Sequence, residues 1–176
     1  MGWLVDNNHP LSEFEKPAFR DMIAMANPEA EAALWQNHIS VREYVMRLYN
    51  HLQPRAVYEL SKAHSRIHVS FDGWTTKGGK RGYLGIVAHY INRDGNLVDL
   101  PIALPQLIGA YSSKNIAEIV HSTLQKFGVS PCKIGYFVLN NASNNNTVIT
   151  SLAQKMSFNA TYRRLRCSPY TLNLIS

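Results

Sequence analysis

Apolar and polar residues alternate along residues 66–75, with Ile67, Val69 and Phe71 on one side and His68, Ser70 and Asp72 on the other. A period of two marks a strand with one buried face. One acid, Asp72, stands at the expected strand end, before a Gly73-Trp74 turn. Residues 83–91 and 97–104 read as two further strands, with Asp94-Gly95 as the turn signal between them. Together the three predict an antiparallel meander. Ser112 or Ser113 caps a helix carrying Ile116, Ile119, Val120, Leu124 and Phe127 on one face, and Gly128 ends it. A nearly continuous apolar run, residues 133–139, follows. Such a strand after a helix implies a parallel position covered on both faces, next to the strand that carries Asp72. Ser143 or Asn144 then caps a helix through Val148, Leu152 and Met156.

Ahead of this, residues 1–65 read as a helical lead-in. Pro17 suits the first turn of a helix that Asn27-Pro28 stops. Ser40-Val41-Arg42-Glu43 has the form of a capping box before Tyr44, Val45, Leu48 and Leu52. Pro54 kinks or restarts that helix, which continues through Val57 and Leu60. The order is helices, three antiparallel strands, helix, parallel strand, helix. This predicts an α/β domain over residues 66–176 with the front half of an RNase H-like fold. No stretch is left for the further strand and last helix of a complete version. The edge at 133–139 is therefore expected to lie open and to favour self-association.

Composition adds partners rather than elements. At 45% hydrophobic and 17% charged, the 176 residues have ordinary globular composition, and no apolar run reaches membrane-spanning length. The start carries neither a secretory signal nor the Ser or Thr that myristoylation needs at position 6, where Asp6 stands. An intracellular protein is expected, so the Asn-x-Ser/Thr triplets at Asn141, Asn145 and Asn159 carry no glycan and Cys132 and Cys167 are reduced thiols. The net charge of +6 is uneven: residues 1–100 hold 11 Lys and Arg against 11 Asp and Glu, whereas residues 101–176 hold 7 against Glu118 alone. A basic half suits a polyanion such as DNA. The Thr75–Gly82 stretch reads as a flexible basic turn, a solvated hairpin loop or a contact for a phosphate backbone, and lacks the order of a P-loop. His64 and His68 have a metal-like spacing, yet His68 falls inside a strand. No acid joins a Ser and a His in a recognisable triad, and Trp74 with Tyr83 is expected in the core.

Three blocks carry a family resemblance: Val69-Ser70-Phe71-Asp72-Gly73-Trp74-Thr75-Thr76, the run from Ile134 through Asn140-Asn141-Ala142-Ser143-Asn144-Asn145, and the run from Arg164 through Cys167-Ser168-Pro169-Tyr170 to Leu174. In this order they resemble the hAT superfamily of cut-and-paste DNA transposases, most closely those of filamentous fungi. The resemblance implies a nuclear protein with an RNase H-like core, in which two aspartates and a glutamate hold Mg²⁺ or Mn²⁺ for DNA strand cleavage and transfer. Asp72 matches the first aspartate. The second is replaced by Asn140, a further acid by Asn146, and the His of a Cys-x-x-His by Tyr170. The glutamate has no counterpart before Ser176, and no zinc finger precedes the core.

An amide is a neutral and weaker ligand for a hard cation than a carboxylate. Losing one charge costs roughly 4 kcal/mol per unit of cation charge at an effective dielectric of about 20, or on the order of a thousandfold in affinity. Asp72 alone is a weak metal ligand, and no cofactor is expected. The sequence thus reads as an inactive remnant or domesticated fragment of a hAT-type transposase. The alternative is a non-catalytic module that holds nucleic acid or a protein through its basic half. A third reading, an active nuclease, requires partner chains to supply the missing acids. Weak, sequence-independent DNA contact is expected from Lys77, Lys80, Arg81, Arg163, Arg164 and Arg166.

Overall fold

Prolines set two helix starts in the first third of the chain. In the computed structural model, which describes residues 2–109, 112–140 and 144–166, helix α1 (Gly2–Asp6) and a 3-10 turn precede α2 (Pro17–Ala26) and α3 (Pro28–Ala32). Pro17 and Pro28 each open a helix, where a missing N–H costs nothing. The Asn27 side chain ends the gap between them by accepting from the amides of Glu29 and Ala30. Helix α4 (His38–Ser61) starts two residues before the expected capping box: Asn37 Oδ1 accepts from the Ser40 amide at 2.9 Å, which makes Asn37 the cap. Pro54 lies inside α4 without ending it, and the chain divides there into two units, residues 1–54 and 55–176. The first has its own small core of Leu4, Phe14 and Val41, packed by Phe19, Leu34 and Trp35.

The second unit is built on a sheet. Strands β1 (Ile67–Thr75), β2 (Gly82–Ile91) and β3 (Leu97–Ala103) form the expected antiparallel meander, and β4 (Gln106–Leu107) pairs back onto the start of β2. Helix α5 (Ser113–Lys126) is capped by Ser112, whose Oγ accepts from the Asn115 amide at 3.2 Å. Strand β5 (Ile134–Leu139) returns parallel to β1, and α6 (Asn144–Met156) follows it. Buried Ile116, Val120 and Leu124 of α5 and Val148, Ile149 and Leu152 of α6 join Val69, Ile86 and Phe137 of the sheet in one core. The end of α4 adds Leu60 to the same core. Burying a side chain of this size contributes roughly 1.5–3 kcal/mol.

Two expectations fail here. Strand β1 does not turn at Gly73-Trp74 but runs on to Thr75, because Gly82, Tyr83 and Leu84 of β2 continue the ladder beside it. The turn falls at 76–81, inside the stretch read as a basic hairpin loop, where Gly78 and Gly79 take φ of 85° and 69°. The edge at 133–139 is also left open over only part of its length. After the short helix α7 (Ala160–Arg163), β6 (Arg164–Arg166) pairs in parallel with Phe137, Val138 and Leu139. This strand was missed because three residues with two arginines carry no apolar alternation. Among the described residues the strand order is β3-β2-β1-β5-β6.

The β1–β5 pairing contains a bulge. Ile67 faces Ile134 and Val69 faces Phe137, so His68 alone stands against Gly135 and Tyr136. A bulge leaves backbone groups outside the ladder. Here the Tyr136 amide donates to His68 Nδ1 at 3.1 Å, and Arg163 donates to the carbonyls of Ile134 and Gly135 at 2.9 and 3.1 Å. Position 135 admits only glycine: a Cβ there would lie 2.7 Å from His68 Nδ1 and 2.8 Å from its Cε1. Gly135→Ala is expected to lower stability by about 1–3 kcal/mol. Urea unfolding checks this, and adding His68→Ala should recover most of the loss. An equal cost in both backgrounds would show that the ring is not what excludes a methyl group.

Candidate functional site at the carboxyl ends of the parallel strands

Because β1, β5 and β6 run parallel, their carboxyl ends share one edge of the sheet, the place where open α/β sheets bind ligands. The register Ser70 with Val138, continued by two residues, sets Asp72 beside Asn140. Asn140 Nδ2 donates to Asp72 Oδ1 at 3.3 Å, and the Gly73 amide donates to the same oxygen at 3.0 Å. Asn145, in the first turn of α6, donates from Nδ2 to Asn140 Oδ1 at 2.7 Å. These groups line a cavity of about 190 Å³.

The Asn140 amide is therefore committed at both ends, with its N–H₂ towards the carboxylate and its oxygen towards Asn145. Turning it over would set oxygen against oxygen at Asp72 and nitrogen against nitrogen at Asn145, so the hydrogen bonds fix its orientation. An aspartate at this position would place two carboxylates together, a repulsion between about 1 and 4 kcal/mol over the range from water to a near-surface dielectric. A divalent cation relieves such repulsion; the amide removes it without one. One carboxylate and two amides that already satisfy each other do not fit a divalent-metal centre. Among the described residues no group of three or more His, Cys, Asp or Glu is placed to hold a metal ion. Asn146, in place of the further acid, is exposed on α6 and accepts from Thr150 through its carbonyl.

The six basic candidates fall into two groups at this edge. Lys77, Lys80 and Arg81 are exposed in the β1–β2 turn, beyond the end of β1. Arg163 is half-buried and holds the bulge carbonyls. Arg164 is half-buried, and its Nη2 donates to the Asn140 carbonyl at 3.3 Å. Burial, and then the neighbouring Arg166 charge, lower the Arg164 pKa. Arg166 is exposed. Cys132 is exposed beside Ser130, whereas Cys167 and Tyr170 lie outside the described residues.

The opposite side of β1 and β2 holds groups that sequence reasoning missed. Ser70 Oγ lies 2.8 Å from His89 Nε2, and His89 Nδ1 lies 2.6 Å from Asp99 Oδ1. The three line up across β1, β2 and β3, contrary to the expectation that no such set exists. Register was the missing signal, since His89 faces both His68 and Asp99 across its two ladders. Ser70 sits mid-strand between Val87 and Val138, not on a turn that offers free N–H groups to an oxyanion. The set is thus a polar ladder on the sheet. Trp74, expected in the core, is 46% exposed and covers Gly85, where a Cβ would come within 3.1 Å of the indole. A groove of about 910 Å³ runs along this face past His68, Ser70, Trp74 and His89.

Burial above all, then repulsion from His89 and Arg163, lowers the His68 pKa. Neutral His68 also suits its acceptor role towards the Tyr136 amide. A histidine whose folded pKa is depressed binds its proton more readily when unfolded, so its contribution is present above about pH 6.5 and is lost on acidification below it. Urea midpoints at pH 7.5 and 5.5 should differ more for the unaltered protein than for His68→Gln. Equal differences would remove His68 from the pH dependence.

A family model of the ZBED1 RNase-like domain matches residues 70–164, just over half of the chain. The matched stretch contains Asp72, Asn140 and Asn145 and ends at the first residue of β6. No curated protein matches the chain.

Proposed function

The chain belongs to the ZBED1 RNase-like domain family, an hAT-related transposase-type domain with an RNase-like α/β fold, and from that premise we propose that it is a non-catalytic member. The observation that carries this reading is the contact between Asn140 Nδ2 and Asp72 Oδ1 at 3.3 Å, with Asn145 closing the other end of the amide. Where metal-dependent strand cleavage needs paired carboxylates, the neutral amide satisfies the single acid. Replacing Asp by Asn and His by Tyr each takes one transition mutation, which agrees with decay or domestication of a fungal transposon copy.

A second reading is favoured by the charge at the same edge. Lys77, Lys80 and Arg81 extend beyond β1, and Arg164 and Arg166 sit on β6, whereas Arg163 beside it is held by the bulge carbonyls. Together they suit weak, sequence-independent contact with a DNA backbone in the nucleus. Contacts of that kind position a duplex without reading its bases. No helix among the described residues is long and apolar enough to cross a membrane.

The catalytic question has a direct assay. Supercoiled DNA is incubated with the protein and with Asp72→Ala, Asn140→Asp and the pair of changes, in Mg²⁺ or Mn²⁺. The unaltered protein is expected to leave the plasmid intact. Nicking that persists after purification and disappears in Asp72→Ala would overturn the reading.

A further inference from the structure

We infer that the cavity bounded by α6, α7 and β6 is a binding pocket for a single phosphate group. It measures about 350 Å³, and Arg164, Arg166, Asn146, Thr150 and Thr161 line it. Arg164 and Arg166 are two residues apart on one strand, so both project to the same side of it. No acid is among the lining residues. Two guanidinium groups thus line one space with no acid among the described residues there, and their mutual repulsion adds to burial in lowering the Arg164 pKa.

The hydrogen bonds point the same way. Arg164 Nε is shielded from solvent and has no partner among the described residues, a rare state for a donor on a charged group. Its Nη2 bond to the Asn140 carbonyl ties the guanidinium to the end of β5, beside the cavity. Arginine forks match the tetrahedral oxygens of phosphate and bind them in pairs. Two guanidinium groups, with the Thr161 hydroxyl and the Asn146 amide among the lining residues, offer more donors than the two oxygens of a carboxylate can accept. A phosphate has enough acceptors for both arginines. The inference rests on the nucleic-acid reading only for the source of the group: a backbone phosphodiester and free inorganic phosphate share the chemistry.

The test is a titration of the full chain with inorganic phosphate at constant ionic strength, followed by amide NMR. Saturable shifts are expected in α6, α7 and β6, weakened about tenfold by Arg166→Gln, which removes one charge-assisted donor set. Arg164→Lys, which keeps the charge and loses the fork, should weaken them as well. Arg93→Gln, in the exposed β2–β3 turn, should leave them unchanged. Shifts that rise linearly without saturation, or that Arg166→Gln leaves intact, overturn the pocket. In a second arm, a single-stranded oligonucleotide competes with the phosphate. Competition supports a backbone phosphate as the occupant. Saturable phosphate binding without competition keeps the pocket and removes nucleic acid as its source, so the two readings fail separately.

Discussion

The parallel pairing of β1 with β5 is the constraint on which the second unit depends. Its bulge, where His68 stands against Gly135 and Tyr136, shifts the phase of β5. Ile134 and Phe137, three positions apart, both reach the core in consequence. The bulge also dictates what surrounds it: a glycine where the ring leaves no room, a neutral histidine for the Tyr136 amide, and Arg163 for two carbonyls. Past the bulge the register is regular, and that regularity delivers Asp72 and Asn140 to one point. β6 then pairs with the last half of β5 and brings Arg164 against the Asn140 carbonyl.

At that point a one-atom difference decides the chemistry. An aspartate and an asparagine occupy nearly the same volume, so the sheet and its helices have no steric reason to distinguish them. Electrostatics distinguishes them fully. Paired carboxylates at hydrogen-bonding distance are stable only with a cation or a shared proton, whereas a carboxylate facing an amide is satisfied as it stands. A site of this kind can thus lose one carboxylate without disturbing the fold around it. Membership of an RNase-like family and a site that does not fit a metal are compatible for this reason.

Much of the architecture was legible because it rests on periodicity and on local turn chemistry. The alternation through Ile67, Val69 and Phe71, the Asp94-Gly95 turn and the Ser112 cap each report a local cause. The Asp72 and Asn140 pair is not local, but it was legible because two strand patterns each end in a polar residue at the same edge. What stayed hidden depends on register between distant segments. β6 has no apolar pattern and forms only because Phe137–Leu139 needs a partner. The Ser70, His89 and Asp99 ladder requires two strand alignments at once. Arg163 reads as a free surface charge until the bulge carbonyls are known. The exposure of Trp74 follows from β1 running three residues past Asp72, a length that β2 sets.

The central claim is that Asn140 completes the Asp72 environment without a cation. Crystals grown in millimolar Mn²⁺ and measured at the manganese absorption edge test it most directly. The account predicts no anomalous peak at Asp72 and an Asn140 amide still hydrogen-bonded to the carboxylate. A manganese ion bridging Asp72 and the Asn140 oxygen, with Asn145 displaced, would contradict it.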